Sequence, residues 1–296
     1  MEPPWAKPST GASSRIDRTL TGAPTRADNS RVARALRGTV AVITGASSGI
    51  GAATAVACGR EGMKVALAAR RADRLAEVAR AVRAAGGEAR VVPTDVADEA
   101  AVRALVEETA AAWGRLDVVV ANAGIGLLAP VAETTAAEFE QIMRVNFLGV
   151  VYAVLAALPH LRRQVSGHLV TVASVIGKRG SPFRAAYCAS KFAVVGLSEV
   201  LRMELRAEGI AVTCVCPVGT LTEFHEVEPN RLGVPGRGGP IQSAERVARA
   251  IVRALRRPRP EVHPFPPARA LFLVNAVAPG LVDRLLMRLS PRARGH

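Results

Sequence analysis

Val40-Ala41-Val42-Ile43 runs without a polar residue into Thr44-Gly45-Ala46-Ser47-Ser48-Gly49-Ile50-Gly51, and small residues then dominate from Ala52 to Cys58. An apolar run, a glycine turn and a small-residue segment predict, in that order, a buried strand, a tight turn and a helix packed close to a sheet. The glycines permit the backbone angles of such a turn and let a ligand approach the main chain. A helix beginning near Gly49 offers unpaired N–H groups and the positive end of its dipole, so the expected guest is a phosphate. The spacing is G-x-x-x-G-x-G, different from the G-x-G-x-x-G of most dinucleotide-binding folds.

The rest of the chain repeats this opening. Apolar strand-like runs at 40–43, 64–69, 89–93, 116–121, 168–173, 211–215 and 261–265 alternate with helical stretches rich in Ala, Arg and Glu. Seven such strands with intervening helices imply an α/β fold, a doubly wound parallel sheet covered on both faces, in a single domain over 38–265. With 296 residues and 49% hydrophobic content the chain is long enough for one large core. Ligands of such sheets bind outside the carboxyl ends of the strands, and the glycine turn, Asn122, Ser174 and Pro217 all fall at such ends.

Four further elements follow in order: Asn122-Ala123-Gly124 after Val118–Ala121, Asn146 another 24 residues on, Ser174 after His168–Ala173, and Tyr187-Cys188-Ala189-Ser190-Lys191. Together with Thr44-Gly-x-x-x-Gly-x-Gly51 they resemble the signature of the short-chain dehydrogenase/reductase family, over residues 38–265. Taken alone, a Tyr-x-x-x-Lys is an ordinary solvated i,i+4 pair; five ordered matches favour the functional reading. The resemblance implies a Rossmann-type fold, a nicotinamide cofactor, alcohol or carbonyl oxidoreduction, and a homo-oligomer, dimer or tetramer. It assigns Asn146, Ser174, Tyr187 and Lys191 to catalysis. It assigns Gly45, Ser47, Ser48, Gly49, Ile50 and Gly51, with Asn122, Ala123 and Gly124, to the cofactor, which Tyr187, Lys191, Pro217 and Thr222 also touch. Asp95 resembles the family's adenine-contacting aspartate, although Asp-Val-Ala-Asp is also a helix-cap sequence.

The chemistry accounts for these residue types. A phenol with a pKa near ~10 is too weak an acid to work as a base at neutral pH unless its phenolate is stabilised. Lys191, one helical turn after Tyr187, and an oxidised nicotinamide would supply positive charge for that. Tyr187 would then exchange a proton with the substrate oxygen while hydride passes between substrate and nicotinamide, and Ser174 would hold that oxygen in line. By the resemblance Asn146 would fix a water relaying protons from Lys191; its other reading is a helix-interior asparagine bonded to backbone.

Charge addresses the cofactor type. The strand 64–69 ends in Arg70-Arg71, where NAD-preferring proteins generally carry a carboxylate for the ribose 2′-hydroxyl, and none occurs before Asp73. Guanidinium groups suit a 2′-phosphate, which favours NADP(H) over NAD(H). The alternative for both arginines is solvated charge at a helix start.

The net charge of +14 sits at the ends: residues 1–37 carry +4, residues 246–296 carry +9, and the body between them +1. Residues 1–37 read as a disordered basic extension. No recognition motif or interleaved aromatics accompany the basic ends, so nucleic acid is not the expected partner. There is no secretory signal at the start, and no uncharged apolar stretch reaches the ~18 residues of a membrane span, so a cytoplasmic location is expected. Cys58, Cys188, Cys214 and Cys216 suggest no disulfide scaffold, Cys214-x-Cys216 lacks metal-ligand spacing, and no metal is expected.

Two stretches depart from the family pattern. Relatives commonly read Pro-Gly-x-x-x-Thr where this chain has Pro217-Val218-Gly219-Thr220-Leu221-Thr222; the threonine matches and Val218 replaces glycine. The segment 220–240, with its glycines and prolines, is expected to be a mobile substrate loop. About thirty residues follow Phe265, and 266–296 form an extension whose Leu281, Val282, Leu285, Leu286 and Leu289 recur at helical spacing. That stripe must bury its apolar face on protein or, with Arg269, Arg284 and Arg288 beside it, on a membrane surface. Leu127, Leu128, Phe139 and Phe183 are candidates for an apolar substrate pocket and equally for core. A regulatory protein that binds the cofactor without turnover is the competing function.

Overall fold

The computed structural model describes residues 33–233 and 239–290. β1 (Val40–Thr44) leads through the glycine turn into α1 (Gly49–Arg60), and β2 (Lys64–Ala69), α2 (Ala72–Ala84), β3 (Glu88–Pro93), α3 (Glu99–Trp113) and β4 (Val118–Ala121) repeat the pattern. α4 (Ala136–Met143), a π-helical turn at Arg144–Leu148 and α5 (Gly149–Gln164) form one continuous run. β5 (Gly167–Val172), α6 (Ala185–Glu204) and β6 (Ile210–Val215) follow. Two short strands, β7 (Gly219–Leu221) and β8 (Ile241–Ser243), flank α7 (Phe224–Val227) and precede α8 (Ala244–Arg256), β9 (Glu261–Val262), α9 (Ala268–Val277) and α10 (Pro279–Leu289).

The seven-stranded sheet is parallel throughout, in the order β3-β2-β1-β4-β5-β6-β9. All seven expected strands are present. The last is shorter than its sequence suggests, because His263 and Pro264 lie outside the pairing that joins β9 to β6. Alternate residues of each strand feed opposite layers. Val40 and Val42 pack with Val102, Leu105, Val154 and Val194 of α3, α5 and α6. Ala41 and Ile43 pack with Ala55, Leu75, Val82 and Ile251 of α1, α2 and α8. A strand with both faces covered favours apolar residues, so most of these runs read as near-continuously apolar, with His168 and Thr213 paired to each other where they interrupt β5 and β6.

Direction of winding places the site. From β1 the chain moves outward to β2 and β3, then returns to β4 on the other side of β1. The carboxyl ends of β1 and β4 therefore bound the crevice where the winding reverses.

The helical run Ala136–Gln164 spans 29 residues with a mean hydropathy of 1.8 in its apolar window, long and apolar enough by composition to cross a membrane. Here it is a layer helix: α5 packs on α3, and α4 on α6. Other segments differ from expectation. Leu36 is buried and the Arg34 amide donates to the Arg256 carbonyl, so ordered chain begins before residue 38. Residues 1–32, 234–238 and 291–296 of the expected extensions and loop lie outside the described residues. Within the expected mobile loop, β7 pairs with β8, and Leu128 bridges Asn230, which fastens residues 219–231 to the domain.

Candidate active site

The β1–β4 crevice is built by main-chain economy. The Thr44 hydroxyl accepts from the backbone amides of Asn122 (3.0 Å) and Ala123 (3.1 Å), and the Asn122 side-chain Nδ2 donates to the carbonyls of Thr44 (2.9 Å) and Gly45 (3.3 Å). Gly45 has φ +65°, and a Cβ there would lie 2.8 Å from the Ala123 Cα. A Cβ on Gly51 would stand 2.2 Å from the Gly45 carbonyl oxygen. The glycines thus let β1, β4 and α1 close on one another, and with Ile50 they shape the turn.

A phosphate fits this turn. Ser48 is the N-cap of α1 with no side-chain capping bond, and the first turn carries no acidic residue, so its N–H groups and dipole remain for an anion. Arg71 Nη2 donates to the hydroxyls of Ser47 and Ser48, both at 3.2 Å, and to Glu223 Oε2 at 3.0 Å. Arg74 also pairs with Glu223. Arg71 therefore faces the turn, and both Arg70 and Arg71 are exposed. Asp95, also exposed, accepts from the Ala97 amide at 3.0 Å; the cap of α3 is Asp98. Thr222 lies over the turn, since a Cβ on Gly49 would be 2.8 Å from its Cγ2.

The four expected catalytic residues converge beside this crevice. Ser174 ends the β5 segment and caps a short 3-10 turn: its hydroxyl accepts from the Ile176 amide (3.3 Å) and donates to the Pro217 carbonyl (3.4 Å), which also accepts from the Val175 amide (2.9 Å). Tyr187 and Lys191 are one turn apart in α6. The Lys191 ammonium donates to the Val172 carbonyl at 2.9 Å and lies 5.6 Å from the Tyr187 ring centre. A Cβ on Gly124 would lie 3.2 Å from Asn146 Oδ1 and 3.6 Å from Lys191 Nζ, so the Asn122-Ala123-Gly124 segment borders both.

Asn146 is fully buried in the π turn. Its side chain accepts from the Ile125 amide (2.8 Å) and donates to the Ile125 carbonyl (2.9 Å) and the Ser190 hydroxyl (3.0 Å), which itself donates to the Tyr187 carbonyl (2.7 Å). These bonds to the Ile125 backbone and the Ser190 hydroxyl tie the β4 end to α6. A π turn interrupts the regular helical hydrogen-bond ladder, a distortion concentrated at functional sites.

Burial raises the Tyr187 phenol above its ordinary pKa; Glu228 and Cys188 push the same way, while Arg184 and a hydrogen bond with Ser174 lower it. Burial also lowers Lys191 to about 8. Burial thus shifts both groups towards their neutral forms, raising the phenol and lowering the ammonium.

Sequence reasoning missed three neighbours. Phe224 packs on Tyr187 with ring centres 5.5 Å apart, Glu223 bridges Arg71 and Arg74, and Glu228 pairs with Arg184. All sit on or against a loop whose composition signals only flexibility. Of the pocket candidates, Leu127 clusters with Ile142 and Ala186, Phe139 packs against them, and buried Leu128 receives the loop. At the sheet edge Cys216 Sγ lies 3.7 Å from Glu261 Oε1 and His263 Nε2 lies 2.8 Å from it, three groups that could ligate a cation. Glu261 is already paired with Lys178 at 3.2 Å, and hydrogen bonding from His263 holds its carboxyl down at about 2.

A parallel doubly wound sheet with this crevice is the architecture of a dinucleotide-binding protein. The family described as short chain dehydrogenase matches residues 39–231, and the chain belongs to it. A glycine betaine reductase of Emericella nidulans is 37% identical over 227 residues, 75% of this chain; the match spans only 18% of that protein's length. A ketoacyl reductase of a Nostoc species is 32% identical over 256 residues, covering 84% of this chain and 88% of the relative. A short chain dehydrogenase/reductase of Burkholderia phymatum, solved in complex with NAD, superposes with a TM-score of 0.76 at 30% identity, covering 84% of this chain and 96% of that one. The protein is accordingly an oxidoreductase of this family.

Proposed function

We propose that the chain is an NADP(H)-dependent alcohol dehydrogenase or carbonyl reductase that acts on a small hydrophobic alcohol, ketone or aldehyde. The observation that carries this reading is the convergence of Ser174, Tyr187 and Lys191 beside the glycine turn, on elements whose core packing fixes them. When bound, the nicotinamide supplies or accepts the hydride.

The chain's own groups handle the oxygen and its proton. Tyr187 Oη gives a proton to the carbonyl oxygen in reduction and takes it from the hydroxyl in oxidation. Ser174 exchanges its long bond to the Pro217 carbonyl, 3.4 Å, for one to the substrate oxygen. Lys191 restores the proton, and the π turn with Asn146 keeps the β4 end at a fixed distance from α6. Because burial disfavours the phenolate, Tyr187 would need further positive charge to act as a base in oxidation, and an oxidised nicotinamide would supply it.

The glycine turn, Asp95, Asn122-Ala123-Gly124, Pro217 and Thr222 line the cofactor site on this reading. Arg71, held against the Ser47 and Ser48 hydroxyls, supports a 2′-phosphate. Exposed Leu155 on α5 and Phe192, Val200 and Met203 on α6 support a homo-oligomer. Leu273, Val277, Leu281 and Leu285 of the last two helices are exposed while Val282 is buried, which supports a peripheral contact with an anionic membrane. A panel of secondary alcohols, ketones and aldehydes followed by NADPH absorbance tests the reaction. Cofactor binding with no turnover on any of them favours the regulatory alternative.

A further inference from the structure

Arg184 and Glu228 form an ion pair, each residue only 8% exposed, between the N-cap of α6 and the end of α7. Two charges this far from water are costly unless mutual attraction and further bonds offset their desolvation, so their placement calls for a reason. Arg184 precedes Tyr187 by one helical turn. Glu228 is one turn after Phe224, the ring that lies 5.5 Å from the Tyr187 ring.

The surroundings converge on the same corner. The Leu128 amide donates to the Pro229 carbonyl, the Arg231 amide to the Leu128 carbonyl, and the Ala129 amide to the Phe183 carbonyl, all at 2.9 Å. Phe183 has φ +64°, a strained value for an aromatic residue, kept only where neighbours over-determine the backbone. Gly126 has no room for a side chain: a Cβ would lie 2.2 Å from Glu228 Oε1 and 2.8 Å from the Phe224 ring.

We infer that Arg184 and Glu228 are positioning residues, a clamp that closes the 219–231 loop onto the N-terminus of α6 and fixes the charges around Tyr187 in the closed state. This rests on the reading of Tyr187 as the proton-transfer group. The groups facing Tyr187 are Arg184, Glu228, Cys188, Ser174 and Lys191, with His225 beyond Phe224 and 3.6 Å from Glu228. Glu228 disfavours the phenolate and Arg184 favours it, so the two halves of the clamp pull the phenol in opposite directions. Opening the loop carries the carboxylate away, while Arg184 stays on the helix that holds Tyr187.

The chain has two tyrosines, Tyr152 and Tyr187, which permits a direct test in the full-length protein. In a Tyr152→Phe background labelled with a fluorinated tyrosine of more acidic phenol, the fluorine resonance follows Tyr187 alone. Glu228→Gln should move its titration midpoint to lower pH, Arg184→Gln to higher pH, and the double amide variant back towards the parent. A packing role alone would not produce opposite signs. Both single variants should also speed hydrogen exchange at the Leu128, Ala129 and Arg231 amides by about tenfold or more, as loss of a charge-assisted bond does. Midpoints that stay put or move the same way, or unchanged exchange, overturn the clamp. If Arg184→Gln does not fold, Glu228→Gln decides by the same two readouts. Neither readout needs a substrate, so absence of turnover would count against the proposed alcohol dehydrogenase or carbonyl reductase activity and not against the clamp.

Discussion

The Thr44 side chain holds the Asn122 amide at 3.0 Å and the adjacent Ala123 amide at 3.1 Å, so one hydroxyl at the end of β1 fixes the path of the chain leaving β4. Both strands point into the crevice that their order creates, and among the described residues the Thr44 hydroxyl accepts both amides. Thr44→Val keeps the volume and the β-branched backbone preference but leaves two donors without their acceptor. The expected result is a loss of about 1–3 kcal/mol in stability and weaker cofactor binding, read by denaturant unfolding and by nucleotide titration.

Tyr187→Phe should lower kcat by ~10²–10⁴-fold and leave NADPH affinity close to wild type, because the hydroxyl is assigned to proton transfer. Retention of more than about a tenth of the activity would remove Tyr187 from that role.

Arg71→Ala should weaken NADPH more than NADH, since its guanidinium is the one held against Ser47 and Ser48. Arg70→Asp should shift preference towards NADH, because a carboxylate repels a 2′-phosphate and accepts from a 2′-hydroxyl. Isothermal titration with both nucleotides checks this; equal losses for the two cofactors would place the 2′-group elsewhere.

His168 is buried on β5 with Nε2 2.8 Å from the Thr213 hydroxyl, and burial lowers its pKa to about 3. The unfolded chain binds this proton below about 6.5 and the folded chain only near 3, so stability falls as pH drops through that window. His168→Gln should flatten the decline, seen as a smaller loss of unfolding free energy between pH 6.5 and 3 than in the parent.

Truncation after Pro267 removes α9 and α10 with exposed Leu273, Val277, Leu281 and Leu285. Vesicles of anionic lipid should co-sediment the full chain but not the truncated one, and high salt should weaken the binding of the full chain. Equal, negligible sedimentation of both assigns those side chains to a protein partner.

The sheet was legible because strands covered on both faces favour apolar residues, so Val40–Ile43 and Val118–Ala121 stand out without any structural knowledge. Tyr187 and Lys191 were legible because their chemistry needs fixed spacing. Glu223, Arg184 and Glu228 were not: each acts across more than forty residues of chain, and each sits in a segment whose glycines, prolines and charges also suit a solvated loop. The burial of Lys191, which lowers it to about 8, was hidden for a related reason, since it is set by the packing of α6 and not by the motif. The metal-capable trio of Cys216, Glu261 and His263 is likewise a product of strand pairing between β6 and β9.

The π turn at Arg144–Leu148 has a meaning in chain arithmetic. Compared with an unbroken α-helix it accommodates one surplus residue, which rotates everything downstream by about 100°. Removing one residue there would give the run from Ala136 to Gln164 a more regular hydrogen-bond pattern, while turning Asn146 away from Ile125 and Ser190 or α5 away from α3. At this place local helical order and a working site are alternatives, so sequence changes that make the helix more ideal should select against activity.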